Sequence, residues 1–355
     1  MLKIGFLIQD MAKLGGTERS ASIIMNGLAK DDRVYLIEVC PKGEPAFELN
    51  PSIEKVGLFK SEKSLISSYI PFVHKLYKAI SGLQLDVLVI VESKHALYGV
   101  PAAKLAGVRC VVWEHFNFNV DLGKKKRRIA RNIAAKYADD IVVLTNRDRQ
   151  IWKEKTDTHA RIVTIPNAVP DLGDIRYNKN AKTVVAIGRL TFQKGFDHLL
   201  NIWDSLKKDV RAKDWTLKIV GDGPDAHDLQ CDSLRIPDVE FLPPQKDVRP
   251  IYQEAGIIAL TSRYEGLPMV LLEAASVGIP IVAYDCETGP SEIVENNRTG
   301  YLVNFCDMDG FAERLLNLMG SDNLRETFSH NAKESALKFA QTAILNKWQQ
   351  MLENH

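Results

Sequence analysis

The sequence predicts an α/β protein built from two doubly wound, Rossmann-like domains. Short runs rich in Val, Ile and Leu alternate with longer helical patterns along the 355 residues. Because these runs are apolar almost without interruption, they are typical of strands buried on both faces of a parallel sheet. The length corresponds to two domains at about 150 residues each.

The predicted strands form two series. The first comprises residues 2–8, 34–39, 87–91, 109–113, 141–144 and 161–165, and the second comprises 183–187, 216–220, 239–242, 256–260, 279–283 and 301–303. The clearest helical patterns lie at residues 17–30, 65–81, 124–137, 196–208 and 269–277.

A segment at residues 166–182, with several Pro, Gly and Asn residues, interrupts this rhythm and predicts a linker. We therefore expect an N-terminal domain at 1–168 and a second domain at 169–336. A last helix at 337–355 is expected to pack back on the N-terminal domain. Two such domains facing each other would leave a cleft at the carboxyl ends of their strands, where ligands bind in open α/β sheets.

The composition excludes several classes of protein. Hydrophobic residues make up 45% and charged residues 26%, which is ordinary for a globular chain. The net charge of +1 does not indicate a nucleic-acid partner. The five cysteines are scattered without a Cys-x-x-Cys pair, which argues against a disulfide framework or a zinc site. Since no apolar run resembles a signal peptide or a membrane span, we expect a cytoplasmic protein.

The most informative motif follows the strand that ends near residue 260. Glu265 precedes a predicted helix whose first turn offers backbone N–H groups and a positive dipole end to an anion. The residues of this turn are Gly266, Leu267, Pro268, Met269 and Val270. Glu273 lies in an otherwise apolar stretch, which argues against full solvation. The alternative is that Glu265 merely caps the helix and Glu273 is solvated.

Two further loops suggest a site for a nucleotide. Gly188 permits a tight turn after a strand, and Arg189 and Lys194 follow on a loop expected to be exposed. Two cations beside a helix N-terminus could hold a diphosphate without metal, although the loop could also be a solvated basic surface. Gly221 and Gly223 belong to a loose dinucleotide-binding pattern, which we interpret as a turn that shapes a nucleoside pocket.

The first half contains three weaker signals, each with a purely structural alternative. The segment Gly15-Gly16-Thr17-Glu18 follows the first strand; its glycines allow a ligand close approach, and Thr17 is a candidate N-cap. His115 lies two residues after the predicted strand at 109–113. A basic run opens a predicted helix whose apolar residues are Ile129, Ile133 and Tyr137. Such a basic amphipathic helix is suited to anionic lipid or a lipid-linked diphosphate. This run comprises Lys124, Lys125, Lys126, Arg127 and Arg128.

Together these motifs resemble the retaining glycosyltransferases of family 4, which have the GT-B fold of two facing Rossmann-like domains with a catalytic cleft between them. The matching pieces run in family order from residue 15 to about 303. They are Gly15-Gly16-Thr17-Glu18-Arg19, His115, Ile165-Pro166-Asn167, Gly188-Arg189-Leu190, Gln193-Lys194-Gly195, Gly221-Asp222-Gly223-Pro224, Glu265 with Glu273, and Gly289-Pro290-Ser291-Glu292-Ile293-Val294.

The resemblance implies a role for each site residue. Arg189, Lys194 and the amides of residues 266–270 would hold the donor diphosphate, with room provided by Gly16. Glu273 would bind the ribose, Glu265 the transferred sugar, and His115 the sugar or diphosphate. No metal or other cofactor is expected, and the Asp307-Met308-Asp309 motif is expected to cap a helix.

The resemblance also implies the substrates. The donor is expected to be a UDP-sugar carrying a hexose or N-acetylhexosamine, with GDP-mannose as the alternative. The acceptor is expected to be a glycan linked to polyprenyl diphosphate or lipid A, in the synthesis of lipopolysaccharide, O-antigen, capsule or exopolysaccharide. Peripheral attachment to the inner face of the cytoplasmic membrane would follow. A nicotinamide dehydrogenase, a sugar-nucleotide epimerase or phosphorylase, and a non-catalytic binding module remain as alternatives.

Overall fold

A computed structural model describes residues 1–61, 68–121 and 123–354 of the chain. It divides into two compact units, the first made of Met1–Ala168 with Gln341–His355 and the second of Val169–Ala340. Each unit is built around one sheet in which all neighbouring strands are parallel.

Unit 1 contains a seven-stranded sheet in the order β3-β2-β1-β4-β5-β6-β7. Its strands are β1 (Lys3–Ile8), β2 (Arg33–Glu38), β3 (Glu54–Gly57), β4 (Val87–Val91), β5 (Arg109–Trp113), β6 (Asp140–Val143) and β7 (Arg161–Thr164). Its first helices are α1 (Gly16–Leu28), α2 (Tyr69–Leu83), α3 (Ala96–Ala106), α4 (Lys125–Tyr137) and α5 (Asn146–Lys155).

Unit 2 contains a six-stranded sheet in the order β10-β9-β8-β11-β12-β13. Its strands are β8 (Thr183–Ile187), β9 (Thr216–Val220), β10 (Val239–Leu242), β11 (Ile257–Leu260), β12 (Ile281–Asp285) and β13 (Gly300–Asn304). Its helices are α6 (Phe196–Leu206), α7 (Ala226–Ser233), α8 (Arg249–Glu254), α9 (Met269–Val277), α10 (Pro290–Ile293), α11 (Met308–Met319) and α12 (Asp322–Ala336).

The last helix, α13 (Gln341–Glu353), returns to unit 1 and packs against α1. Its Trp348 is fully buried, with its ring centroid 4.8 Å from that of Trp113 and 6.5 Å from that of Phe6. Arg109, at the start of β5, donates to the carbonyl oxygens of Leu352 at 2.6 Å and Met351 at 2.8 Å. These bonds satisfy carbonyls that the end of a helix leaves without partners.

The strand order reverses once in each sheet, between β1 and β4 in unit 1 and between β8 and β11 in unit 2. Such a switch point opens a crevice at the carboxyl ends of the strands, because the connections on its two sides leave in opposite directions. The loops after β1, β4, β8 and β11 therefore lie where an open α/β sheet binds ligands.

The structure confirms the predicted strands to within a few residues and adds one. The additional strand, β3, lies at the edge of its sheet, and its four residues are mostly exposed, so it lacks the apolar run that marks the others. The predicted helix at 65–81 corresponds to α2, although residues 65–67 lie outside the described part of the chain.

Candidate functional site

Glu265 is held inside unit 2 by three side chains. Its carboxylate accepts hydrogen bonds from Lys194 Nζ at 2.6 Å and Ser262 Oγ at 2.7 Å, and its carbonyl oxygen accepts one from Thr288 Oγ1 at 2.6 Å. The side chain is buried, and the N-cap of α9 is Pro268, which makes no side-chain capping bond. Glu265 therefore does not cap the helix; it forms an ion pair beside the N-terminus of α9.

Lys194 brings the loop after β8 to this glutamate. It ends a short 3-10 turn, Phe192–Lys194, and its side chain is 19% exposed. Its methylene groups pack close to Gly188, where an added Cβ would lie 3.3 Å from Lys194 Cε. Arg189 on the same loop is exposed. The expectation that both cations are simply exposed is thus wrong for Lys194, because tertiary contacts with Gly188 and Glu265 cover it.

Glu273 lies on the buried side of α9. Its side chain is almost inaccessible, and Tyr252 of α8 donates its hydroxyl hydrogen to Oε2 at 2.5 Å. A solvated Glu273 is therefore excluded. A carboxylate desolvated to this extent needs hydrogen-bond donors, which a ligand hydroxyl can supply as well as Tyr252.

Gly221 and Gly223 let two loops of unit 2 pack against each other. A Cβ added at Gly221 would collide with the carbonyl oxygen of Gly188, and one at Gly223 with that of Leu190. Both glycines thus have a structural reason for their identity, and they place the loop after β9 directly beside the loop after β8.

The Gly15-Gly16 segment begins α1 differently from the prediction. The helix starts at Gly16, and its N-cap is Gly15, so Thr17 lies inside the first turn and is not the N-cap. The Glu18 carboxylate folds back against Gly15, and burial raises its pKa, with a further contribution from the charge of Glu92. Glu18 therefore holds its proton more readily than an exposed glutamate.

His115 presents a buried nitrogen without a protein partner. The residue is 8% exposed, and its ring lies against Trp113 with 4.4 Å between centroids. Among the described residues, none forms a hydrogen bond with its Nε2 atom. Burial lowers the pKa of His115 to about 4, so the imidazole is neutral near pH 7. It can therefore exchange a hydrogen bond with a ligand but does not supply a positive charge.

Glu114 is a positioning residue that the sequence analysis missed. It is fully buried, forms an ion pair with Arg131 at 3.0 Å, and accepts backbone hydrogen bonds from His115 and Phe116 at 3.1 Å each. Burial alone would raise its pKa, but the Arg131 charge and the hydrogen bonds outweigh burial and lower it. The available signal is an acidic residue directly after a strand whose last four residues are all apolar.

The basic helix α4 has two different sides. Arg127 is buried, lies 3.5 Å from Glu92 and stacks over the Phe116 ring at 4.5 Å. It is therefore not part of an exposed basic face, in contrast to the prediction, because it binds this carboxylate and ring inside unit 1. The exposed members of the run are Lys124, Lys125, Lys126 and Arg128.

Asp307 is the N-cap of α11, and its Oδ1 atom accepts a hydrogen bond from the N–H of Gly310 at 2.8 Å, which confirms the predicted capping role.

In the described parts of the chain, no group of three or more His, Cys, Asp or Glu side chains is placed to hold a metal ion. Nor does any helix there combine the length and apolarity needed to cross a membrane.

Two family models match the chain, one for each half. The model described as Glycosyltransferase Family 4 matches residues 14–171, and the model described as Glycosyl transferases group 1 matches residues 173–335. Their common boundary falls within a few residues of the division between the two units.

Several curated proteins are similar over nearly the whole chain. An uncharacterized glycosyltransferase of Haemophilus influenzae is 31% identical, with 99% of this chain and 100% of that protein covered. The amylovoran biosynthesis glycosyltransferase AmsD of Erwinia amylovora is 29% identical, with 99% and 100% covered. An N-acetyl-D-galactosaminyltransferase of Campylobacter jejuni, named for a glycan on PP-undecaprenol, is 25% identical, with 99% and 98% covered.

Solved structures share the fold at lower identity. TarM of S. aureus superposes with a TM-score of 0.83 at 16% identity, and both chains are covered completely. HepE of Anabaena superposes with a TM-score of 0.81 at 20% identity, again with both chains fully covered.

Proposed function

Because the chain belongs to the family 4 glycosyltransferases and has the GT-B fold of two Rossmann-like domains, we propose that it transfers a hexose or N-acetylhexosamine from a UDP-sugar to a glycan with retention of configuration. The observation that carries the proposal is the ion pair of Lys194 and Glu265 beside the N-terminus of α9. In this ion pair, Lys194 is a cation that can bind a diphosphate, and Glu265 is a carboxylate that can accept hydrogen bonds from sugar hydroxyls.

The donor diphosphate is expected to bind between the loop after β8 and the N-terminus of α9. Lys194 and Arg189 supply positive charge, and the first turn of α9 contributes its dipole. These groups stabilise the negative charge that develops on the departing UDP. TarM and HepE were each solved with a uridine nucleotide, UDP for the first and UDP-glucose for the second, which supports a uridine donor.

The two glutamates are proposed to bind different parts of the donor. Glu265 is fixed by Lys194 and Ser262 next to the expected diphosphate, which suits hydroxyls of the transferred sugar. Glu273 lies further along α9 and shares a hydrogen bond with Tyr252, which suits the ribose hydroxyls. His115, with its free nitrogen, is proposed to donate to the sugar or diphosphate.

Retention is proposed to occur by attack from the face that the diphosphate leaves. The bond between the anomeric carbon and the diphosphate oxygen breaks, and the acceptor oxygen bonds to that carbon. The acceptor proton passes to an oxygen of the departing diphosphate. Glu265 is already paired with Lys194, so we assign it to binding and not to a covalent intermediate. No metal is assigned to this step, since the two cations and α9 can neutralise the diphosphate.

The acceptor is proposed to be a lipid-linked glycan of a bacterial surface polysaccharide. The Erwinia relative is named for amylovoran biosynthesis and the Campylobacter relative for a glycan on PP-undecaprenol. The enzyme would then act from the cytoplasm on a substrate held in the cytoplasmic membrane.

A thermal-shift screen followed by a transfer assay tests the proposal. UDP and one UDP-sugar should raise the melting temperature more than GDP and GDP-mannose do, because a ligand that binds only the folded state stabilises it. Radiolabelled sugar from that donor should appear in an undecaprenyl-diphosphate glycan. Stabilisation by GDP-mannose alone would overturn the choice of donor. Binding of a nucleotide sugar without transfer to any glycan would overturn the assignment of the protein as an enzyme.

A further inference from the structure

The loop that carries His115 is held by charged side chains from two helices of unit 1. This loop, residues 114–121, follows β5, and we call it the His115 loop. Arg131 reaches it from α4, and Asp148 reaches it from the first turn of α5. Both residues are buried, with exposures of 0% and 4%. Polar groups this far from water need protein partners, and the loop supplies them.

Arg131 binds carbonyl groups of the His115 loop. Its two terminal nitrogens donate to three backbone carbonyl oxygens, which belong to Phe118 at 2.5 Å, Val120 at 3.0 Å and Asn117 at 3.2 Å. Its Nε atom donates to Glu114 Oε2 at 3.0 Å. The other oxygen of Glu114 accepts the backbone N–H groups of His115 and the residue after it. Arg131 therefore constrains the loop at four places, one of which leads directly to the backbone of His115.

Asp148 binds the N–H group of Phe118. Its Oδ1 atom accepts this hydrogen bond at 2.7 Å. Because Arg131 binds the carbonyl group of the same residue, both polar backbone groups of Phe118 are held by charged side chains. The Phe118 ring also packs edge-on against Trp152 of α5, with 4.9 Å between the ring centroids. Phe118 is therefore the residue through which α4 and α5 together anchor the His115 loop.

The ordinary role of an acid at this position lies within its own helix. Thr145 is the N-cap of α5, and its side chain accepts the N–H of Asp148 at 3.0 Å. An acidic side chain three residues after such a cap commonly reaches back to the N-cap N–H and completes a capping box. Asp148 Oδ1 instead binds a loop residue 30 positions away. This contact connects the start of α5 to the segment that holds His115.

Glu114 of the loop and Asp148 of α5 share the single positive charge of Arg131. Although burial would raise the pKa of Glu114, the charge of Arg131 and the hydrogen bonds of Glu114 lower it. Burial raises the pKa of Asp148 to about 7, and the negative charge of Glu114 adds to this rise, although the Phe118 N–H and Arg131 oppose it. One arginine cannot fully compensate two buried carboxylates, so one of them keeps its proton more readily. Asp148 therefore changes charge near neutral pH, and only its ionised form gives the Phe118 N–H a charged acceptor.

We propose that Asp148 is a positioning residue of the transfer reaction, which fixes the His115 loop through the Phe118 N–H so that His115 meets the substrate in one orientation. The ionised carboxylate is the stronger acceptor for this N–H, since charge-assisted hydrogen bonds are stronger than neutral ones. His115 itself stays neutral near pH 7, because burial lowers its pKa to about 4. Turnover therefore follows the charge of Asp148, which acts only through the loop. The inference rests on the proposed function, in which His115 binds the sugar or diphosphate.

The pH dependence of turnover in Asp148→Asn tests this role. Asparagine keeps the shape and an acceptor oxygen but cannot ionise, so it reproduces the protonated form of Asp148. The ratio of the wild-type kcat to that of Asp148→Asn should be about 1 below about pH 6 and about 5 above about pH 8, since a charged acceptor strengthens a hydrogen bond by about this factor. Taking the ratio removes titrations that both proteins share, such as that of the nucleotide phosphate. A ratio that stays constant across this interval would overturn the proposal.

Glu154→Gln is the matched control, because it makes the same chemical change at an exposed residue of the same helix. Glu154 accepts a hydrogen bond from Gln150 of α5 at 2.7 Å, and its variant should keep the wild-type kcat at every pH. The affinity for free UDP should be equal in all three proteins, since the residues proposed to bind the donor nucleotide belong to unit 2. A loss of UDP affinity in Asp148→Asn would overturn the proposal in favour of a general structural role.

Amide NMR measures the contact without the reaction. In protein labelled with ¹⁵N-phenylalanine, the Phe118 signal is assigned from its loss in Phe118→Leu. Its chemical shift should titrate with a midpoint at about pH 7 in wild type and stay constant in Asp148→Asn, because the N–H donates to the titrating carboxylate. A Phe118 amide that does not titrate in wild type would overturn the proposal.

The two measurements also separate this inference from the proposed function. Absence of transfer in wild type and in Glu154→Gln, together with a titrating Phe118 amide, would contradict the proposed function and leave the contact of Asp148 with the loop established. Transfer by wild type with a constant kcat ratio would instead leave the proposed function intact and remove Asp148 from the positioning residues.

Discussion

At the scale of single residues, the ion pair of Lys194 and Glu265 is the centre of the candidate site. The pair is partly shielded from water, with side-chain exposures of 19% and 7%. Charges placed in this way before substrate arrives need little reorganisation during the reaction, which makes them effective electrostatic catalysts. The pair also keeps Lys194 in one position although its loop is on the surface.

The first prediction is that Lys194→Ala lowers kcat by about 10²–10³-fold, the usual effect of removing one preorganised electrostatic group. Arg189→Ala should also lower kcat by about this factor. Steady-state kinetics with the UDP-sugar identified by the screen provides the measurement. Lys213→Ala, at an exposed residue before β9, serves as the control. Turnover of Lys194→Ala near the wild-type rate would remove this residue from the site.

The second prediction distinguishes Glu273 from Glu265. Glu273→Gln should weaken the binding of free UDP by about 1–3 kcal/mol, since a charge-assisted hydrogen bond to the ribose is lost. Glu265→Gln should leave UDP binding nearly unchanged and lower kcat, because its contact is with the transferred sugar. Calorimetry with UDP and kinetics with the donor sugar measure the two effects. An equal loss of UDP affinity in both variants would contradict the assignment.

The third prediction concerns pH and His115. Its pKa is about 4 in the folded chain and about 6.5 when unfolded, so the unfolded state binds more protons between these values. Stability should therefore fall as the pH falls from about 6.5 to 4. His115→Gln removes this contribution, so its stability relative to wild type should rise by about 2–3 kcal/mol across that interval. Urea unfolding of both proteins at several pH values measures this difference. Parallel curves of unfolding free energy against pH for wild type and His115→Gln would contradict the prediction.

At the scale of elements, the end of α13 is fastened to the first unit by charge. Asp140 at the start of β6 pairs with Arg109 at 2.7 Å and with Arg161 at 2.6 Å. Both arginines also donate to the Met351 carbonyl oxygen. One buried carboxylate thus orients two arginines that satisfy the last turn of the helix.

The fourth prediction is that Arg109→Ala lowers the free energy of unfolding by about 3–5 kcal/mol, because Asp140 stays buried with one partner fewer and the Leu352 carbonyl of α13 loses its donor. Chemical denaturation monitored by tryptophan fluorescence is suitable, since Trp348 of α13 packs on Trp113 and both rings are exposed on unfolding. Lys104→Ala breaks the exposed pair with Asp139 and should cost less than about 1 kcal/mol. An equal loss of unfolding free energy in the two variants would show that the contacts of Arg109 with Asp140 and α13 contribute no more than an exposed ion pair.

At the scale of the whole molecule, the two units carry different parts of the proposed chemistry. Unit 2 holds the described carboxylates and cations proposed for the donor. Unit 1 holds His115, whose backbone N–H donates to Glu114, and Glu114 is in turn paired with Arg131. Each set lies on loops at the carboxyl edge of its own sheet or on helices that start there, which is where doubly wound sheets leave side chains available.

The fifth prediction is that transfer activity of the full chain persists in EDTA. Lys194, Arg189 and the N-terminus of α9 are proposed to neutralise the diphosphate without a divalent cation. Initial rates before and after chelation, with and without added manganese, provide the measurement. Abolition of activity by EDTA and its recovery with manganese would contradict the metal-free proposal.

Local sequence determined the two series of strands and their order along the chain, because an apolar run is a property of neighbouring residues. The apolar neighbours of Glu273 also favoured its burial, which the contact with Tyr252 then settled. Only the tertiary structure decided which charges meet. Lys194 and Glu265 are 71 positions apart and come together because β8 and β11 are neighbours in the sheet. Arg127 belongs to the basic run and Arg131 follows it on the same helix, yet both are buried, Arg127 against Glu92 and the Phe116 ring and Arg131 against Glu114. The edge strand β3 likewise depends on pairing with β2, since its own residues carry no apolar pattern. Partners distant in sequence decide such features, and no local pattern records them.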